Sequence, residues 1–149
     1  MTIQIYNIQK VAEFGDTIEQ YRKMSAKYAK IEDVTLFDAR VARAQSAGRE
    51  QAQKSYDEIY LNKIGGYCVA LDERGEMLDS LGFAKLLSDK SVVKFFVGGA
   101  FGLSQNFKNA CDRVVSLSRL TMAHKIAKVV LYEQIYRALS INANHPYHK

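Results

Sequence analysis

With 149 residues, 48% of them apolar and 25% charged, the chain has the size and composition of one ordinary globular domain and excludes a disordered tail. No apolar run approaches the roughly 18 residues that cross a bilayer, and Met1–Tyr6 has neither the basic head nor the apolar core of a signal peptide, so a cytoplasmic protein that makes no use of a membrane is expected. Lys and Arg number 21 against 16 Asp and Glu, a net charge of +5 that suits a polyanionic partner without requiring one.

In chain order, Thr2–Ile8 alternates apolar and polar at period two and predicts a first strand. Asp16 and Glu19 have capping-box spacing, and Ile18, Tyr21, Met24, Tyr28 and Ile31 recur at helical intervals, predicting a helix over about 17–30. Val34 and Leu36 mark a second short strand. Arg40–Glu50, with Arg40, Arg43 and Arg49 spread among Ala, Gln and Ser, reads either as a solvated loop or frayed helix start, or as a mobile basic lip that touches phosphates. A helix over 51–64 is expected to stop at Gly65-Gly66.

Tyr67–Asp72 is nearly continuous in apolar character, as in a strand covered on both faces, and Glu73–Glu76 reads as the turn after it. Asp79 or Ser80 can cap a short helix through Leu87, with Leu81, Ala84, Leu86 and Leu87 facing inward. Further strands follow at 92–97 and 113–117, Ser104 can cap a short helix that starts at Gln105, and a long helix runs over about 125–141. Alternating strands and helices require crossover connections. The expected fold is therefore α/β, a parallel-rich sheet flanked by helices, as one domain over 1–149. The long helix is apolar on well over one stripe, including Ile126, Val129 and Val130, so it needs either a second copy of the chain or deep burial within one.

Several residues could bear chemistry. Gly98-Gly99-Ala100-Phe101-Gly102 is neither a dinucleotide fingerprint nor a P-loop, and by itself indicates a sharp turn or a close ligand approach. Two loops that follow two strands describe a ligand site at the carboxyl ends of a sheet. His124, His145 and His148 lack the spacing of a zinc pair, and Cys68 and Cys111 read as two reduced, partly buried thiols. Arg137 follows Glu133 by four residues, which suits an exposed ion pair. The tail His145-Pro146-Tyr147-His148-Lys149 is either frayed or able to stack on a base and meet phosphate.

Four stretches in order, Phe96–Ser104, Ser116–His124, Leu131–Ala138 and Asn144–His148, resemble the bacterial ribosomal RNA large subunit methyltransferase H family, part of the SPOUT superfamily of knotted α/β methyltransferases. The likeness is dense over the last third, and elsewhere extends to length and to Val69–Asp72. It implies a SPOUT-type α/β knot, a deep trefoil made by threading the C-terminal helix, in a homodimer. It also implies S-adenosylmethionine as methyl donor, held by Leu71, Gly99, Ser118, Arg119, Leu120, Thr121, Met122 and Ala123. Ala123 stands where the family usually has proline, and Ala100 where it often has proline or serine.

Members methylate N3 of a pseudouridine in 23S ribosomal RNA on assembled ribosomes. An imide nitrogen must lose its proton and be aligned with methyl and sulfur. Arg137, Tyr147 and His148 are assigned to gripping the base, and His145 or His124 to relaying the proton, with the tail free to serve a neighbouring subunit. A non-catalytic ribosome-associated RNA-binding module and a SPOUT enzyme acting on transfer RNA are the alternatives.

Overall fold

A computed structural model describes residues 1–149. The first alternating run forms β1 (Thr2–Asn7), and after α1 (Gly15–Ser25) the chain returns as β2 (Lys30–Thr35). Then come α2 (Ala39–Ser46), α3 (Arg49–Tyr60), a 3-10 turn, β3 (Tyr67–Met77), α4 (Ser80–Leu87), β4 (Val92–Phe96), α5 (Gln105–Ala110), β5 (Arg113–Ser116) and α6 (His124–Asn142). The strands make one sheet in the order β2-β1-β4-β3-β5, with every neighbouring pair parallel. All crossovers therefore bring the chain back over a sheet face, and all the loops that follow strands gather at one end.

Side-chain alternation divides the core in two. Ile3, Ile5, Val93 and Phe95 meet Ile18 of α1, Phe83 and Leu87 of α4, and Leu131 and Ile135 of α6. Tyr6, Ile8, Cys68, Ala70 and Phe96 point the other way and meet Val41 of α2, Tyr56 and Tyr60 of α3, and Phe107 of α5. Phe96 sits among aromatic rings there, 4.9 Å from Tyr6, 5.1 Å from Tyr60 and 5.0 Å from Phe107. Val69 of β3 belongs to the first cluster and Cys68 and Ala70 to the second, so β3 is covered on both faces, which explains its nearly continuous apolar run.

Several boundaries differ from expectation for local reasons. Phe14 adopts a left-handed conformation at φ 59°, so α1 starts at Gly15 and its cap position makes no side-chain bond. Asp16 thereby falls inside the first turn, where its charge favours the helix dipole instead of capping. The helix stops at Ser25 because residues 30–35 are claimed by a six-residue parallel register with β1. The basic segment at 40–50 is helical for most of its length: Asp38 accepts the Val41 amide at 2.9 Å, and Val41 is buried. Leu81 is 60% exposed instead of inward, because Asp79 caps α4 at the Gly82 amide and turns Phe83 and Ala84 to the sheet.

Glu73–Glu76 falls within the span of β3, but the turn expected there survives as a bulge. Leu71 and Glu76 both lie opposite Val115 of β5, residues 72–75 are looped out of the register between them, and Asp72 accepts the Arg74 amide at 2.8 Å. A Cβ on Gly75 would lie 2.8 Å from the Val114 carbonyl, so no side chain fits where the two segments meet.

α6 lies between α1 and α4, which answers its need for cover on three sides. Ile126 remains 40% exposed, and Val129 and Val130 are half-buried. The side that faces β2 is polar. The Lys128 ammonium, 5% exposed, meets the Asp33 carboxylate at 2.8 Å, and that carboxylate, 24% exposed, also accepts Tyr132 at 2.7 Å and Asn7 at 3.0 Å. Burial pushes the Asp33 carboxyl up, but Lys128 and Tyr132 outweigh it and leave the group below its usual range. A pair this enclosed differs from a surface bridge, since removing one partner strands the other charge.

Asp33→Asn should cost about 3 kcal/mol of stability, within the range for breaking a buried pair. Combining it with Lys128→Met should recover most of the loss, as read by urea unfolding. Because the carboxyl is depressed in the fold, its contribution is present above the unfolded value near 4 and disappears as pH falls through the folded one.

Candidate functional site

The carboxyl ends of β3, β4 and β5 open onto a cavity of about 690 Å³, within the range of small-molecule sites. Leu71–Arg74 form one wall, Val97–Leu103 the floor, and Leu117, Ser118 and Leu120–Ala123 the opposite wall, with His124 and Ala127 from the first turn of α6. Arg49 and Gln53 of α3, and Gln105 and Lys108 of α5, complete its rim.

The floor is shaped by α3. A Cβ on Gly99 would sit 2.5 Å from the Tyr56 ring, so the turn fits over that ring only without a side chain. Gln53 donates to the Phe101 carbonyl at 3.0 Å, and the Tyr56 hydroxyl donates to Gln45 at 2.5 Å. Ser104 caps α5 at the Phe107 amide, as its position suggested, and its hydroxyl donates to Asp57 at 2.7 Å. Gln53, Tyr56 and Asp57 recur at helical spacing on one face. In the sequence that spacing signals only a buried face, since the turn it supports lies more than 40 residues away.

The far wall is tied to the overrunning end of β3. Arg119 donates to the carbonyls of Glu73 at 2.6 Å and Gly75 at 2.9 Å. Ser116 reaches the same Glu73 carbonyl at 3.0 Å, Ser118 accepts the Leu120 amide at 3.0 Å, and Thr121 donates to the Glu73 carboxylate. Lys108 closes on Asp72 at 3.0 Å. Of the residues expected to hold a donor, Leu71, Gly99, Ser118, Leu120, Thr121, Met122 and Ala123 line the cavity, while the side chain of Arg119 braces the wall from outside. Leu120 is 78% exposed at the mouth. Glu73 and the α3 residues are the members that sequence reading missed.

His124 is the histidine at the cavity. Burial, then Lys125 beside it, lowers its pKa, so the ring is a neutral proton acceptor at pH 7. Arg137, His145, Tyr147 and His148 lie elsewhere, toward the other end of α6, whose 19 residues span about 28 Å. The tail there is packed into a cluster. Arg137 pairs with Glu133 at 2.5 Å, lies 3.3 Å from His148 Nδ1, and stands 4.8 Å over the Tyr147 ring. Tyr147 donates to Glu133 at 3.0 Å; burial, then that bond, pushes its hydroxyl up to about 12. The Arg137–Glu133 pair is thus half-enclosed and shared with the tail, unlike the exposed bridge the spacing suggests. His145 packs edge-on to Tyr28, 6.5 Å between centroids, and its Nδ1 is buried without a partner.

Cys68 and Cys111 are both unpaired; Cys68 is buried, and burial pushes the Cys111 thiol up to about 12. Neither lines the cavity. No helix is long and apolar enough to cross a membrane.

The family described as "Predicted SPOUT methyltransferase" matches residues 1–148. The chain is 56% identical to the ribosomal RNA large subunit methyltransferase H of Campylobacter concisus and 53% identical to that of Campylobacter fetus, each over the full length of both chains. Among solved structures, the tRNA (m1G37) methyltransferase from Aquifex aeolicus superposes with a TM-score of 0.57 at 18% identity, over all of this chain and 75% of that one, which is a likeness of fold. A SPOUT-type parallel α/β sheet and identity above one half along the whole length lead to one placement: the chain belongs to the SPOUT methyltransferases, in the ribosomal RNA large subunit methyltransferase H family.

Proposed function

We propose that this protein transfers a methyl group from S-adenosylmethionine to N3 of a pseudouridine in 23S ribosomal RNA, acting in the cytoplasm as a homodimer with a trefoil-threaded C-terminal helix. The observation that supports it most is a cavity at the strand ends floored by the glycine turn, in a chain 56% identical throughout to a ribosomal RNA methyltransferase. When bound, S-adenosylmethionine supplies an electrophilic methyl on a sulfonium, which leaves as a neutral thioether as the nucleophile's N–C bond forms.

The residues suit that donor. Leu71, Val97, Leu117, Leu120 and Met122 offer apolar walls for an adenine, while the main chain of the glycine turn and of 118–123 offers amides and carbonyls. Glu73 places a carboxylate on one wall, of the sign that favours binding a cationic sulfonium over its neutral product, while Asp72 beside it is neutralised by Lys108. The acceptor must give up its N3 proton as the bond forms, and neutral His124 is the histidine positioned to take it within one chain.

The tail packs on Glu133 and Arg137, about 14–20 Å along α6 from His124 at its own cavity, and we assign it to the site of another copy. In a twofold dimer each tail can reach the other's cavity, since an isologous contact exchanges the same elements both ways. Exposed Ile126 and half-buried Val130 on the outer side of α6 supply apolar surface for such a contact. The segment 117–123, fastened to the carbonyls of Glu73 and Gly75 on its way to α6, is where threading would occur.

Labelled S-adenosylmethionine with undermethylated ribosomes should give label in 23S RNA, located by mass mapping at N3 of a pseudouridine; label in bulk transfer RNA instead, or none, overturns the reading. Gly99→Ala should raise the dissociation constant for S-adenosylmethionine at least tenfold, about 1.4 kcal/mol, through collision with Tyr56; calorimetry reads it. Deleting Tyr147–Lys149 should cut methyl transfer more than tenfold and leave donor binding unchanged, and normal turnover by the truncated chain refutes a role for the tail. Since the pKa of His124 is depressed, kcat should stay flat above about pH 6.5 and fall below it as the ring is protonated. His124→Gln should lower kcat and remove that acidic limb.

A further inference from the structure

Around the cavity mouth the cations are unevenly committed. Lys108 is spent on Asp72 at 3.0 Å, both side chains 16% exposed. The guanidiniums of Arg49 and Arg74 also belong to the rim, one from the start of α3 and one from the overrunning end of β3, and neither makes a salt bridge. Both residues are exposed. The nearest side-chain hydrogen bond is a long one, 3.5 Å from Arg49 to the Phe101 carbonyl. Arg40 and Arg43 extend the same charge along α2, whose last turn is joined to Tyr56 beneath Gly99 through Gln45. Arg40 has only a loose, exposed contact with Asp38 at 3.5 Å, and Arg43 has no ion pair.

The carboxylates of this region are already occupied. Asp72 holds Lys108, Glu73 holds Thr121, and Asp57 holds Ser104. Glu50, next to Arg49, is the remaining acid on the rim side of α3 without a side-chain partner, and Asp38 caps α2. Two guanidiniums without ion pairs at separate places on the cavity rim, one beside the glycine turn and one on the β3 wall, with two more on a helix, form a site for an anion larger than the cavity and lying across its mouth. Guanidinium forks match phosphate oxygens with two parallel bonds, and a chain of phosphates can reach both, which a single carboxylate cannot.

We propose that Arg49 and Arg74, extended by Arg40 and Arg43, are the phosphate-gripping surface that lays an RNA strand across the mouth of the donor cavity. This rests on the reading of the protein as an RNA methyltransferase and specifies which surface the RNA uses. The methyl acceptor then enters between two anchored phosphates, and neither arginine touches the donor.

The test uses the full chain and a fluorescent oligouridylate 20-mer, a probe of phosphate binding that does not depend on which RNA is the natural substrate. Anisotropy over a salt series gives the slope of log K against log salt. The double variant Arg49→Ala/Arg74→Ala should flatten that slope by about 1.4, roughly 0.7 for each single-strand phosphate that the variant no longer neutralises, while calorimetry shows unchanged S-adenosylmethionine affinity. Arg49→Lys/Arg74→Lys should retain the slope, and Lys27→Ala, a cation stacked over Tyr28, should leave it as in the unaltered protein. An unaltered slope in the double alanine variant overturns the proposal. So does a loss of donor affinity with RNA binding intact, which would assign the arginines to the donor's carboxylate. The two readings fail separately: an unaltered protein that binds the probe through these arginines yet methylates no ribosome defeats the substrate assignment and leaves the surface standing.

Discussion

The overrun of β3 past β4, looped out of register against β5, is the constraint on which the rest of the structure depends. β4 ends at Phe96 opposite Ala70, but β3 continues to Met77, which meets Ser116 at the end of β5 only because residues 72–75 leave the ladder, Leu71 and Glu76 both lying opposite Val115. The carbonyls of Glu73 and Gly75 in that bulge need partners outside the ladder. Arg119 and Ser116 supply them. Five donors of a guanidinium are more than one carbonyl needs, so a single arginine satisfies two residues of the overrun and fixes the loop between β5 and α6 against it. That loop then delivers α6 between α1 and α4, where Lys128 meets Asp33 from the edge strand.

The cavity follows from the same arrangement. One wall is the overrun, the other is the loop it holds, and the floor is the turn after β4, held from beneath by α3. Beside the Lys108–Asp72 pair and the Thr121–Glu73 bond, each wall is fixed by hydrogen bonds to main-chain carbonyls or by close packing against a ring. Such supports lose little on desolvation and tolerate no displacement, which suits a site that must recognise a ligand by shape and by backbone contact. The main electrostatic freedom left at the mouth is the set of unpaired arginines.

How much of this could be read from the sequence depends on the range of the interaction. Parallel pairing was implicit in the alternation of elements, and the caps at Asp79 and Ser104 were visible because each acts three residues away. The glycine turn and the Ser118–Ala123 loop were identified through resemblance, and the structure places both at one cavity. What escaped was long-range. Nothing in the sequence around Asp33 marks it, since its partners are 95 and 99 residues distant. Glu73–Glu76 has turn-forming composition, but that it forms a bulge inside a strand, with Glu76 and Met77 rejoining β5, depends on a pairing about 40 residues away. Arg119 came with the resemblance as a donor-holding residue, and its side chain turns to the carbonyls of Glu73 and Gly75, which no local pattern announces.

The two ends of α6 pose the remaining question of architecture. At its start, Ala127 and His124 border the cavity; toward its end, Glu133, Arg137, Tyr147 and His148 form a cluster in which a single carboxylate organises a guanidinium and a phenol. Packing the tail this way takes ordering entropy from a terminus, and terminal residues are usually left free unless something is gained. Stability alone is a weak reason, because the cluster is partly open to water and its ion pair is correspondingly screened. A cluster that presents Tyr147 and His148 as a preformed surface to a second copy's cavity recovers that cost at the moment of binding, because the groups need not be ordered then. On the proposed reading, the methyl donor and the grip on the acceptor thus come from opposite ends of one helix, and a twofold axis brings them together.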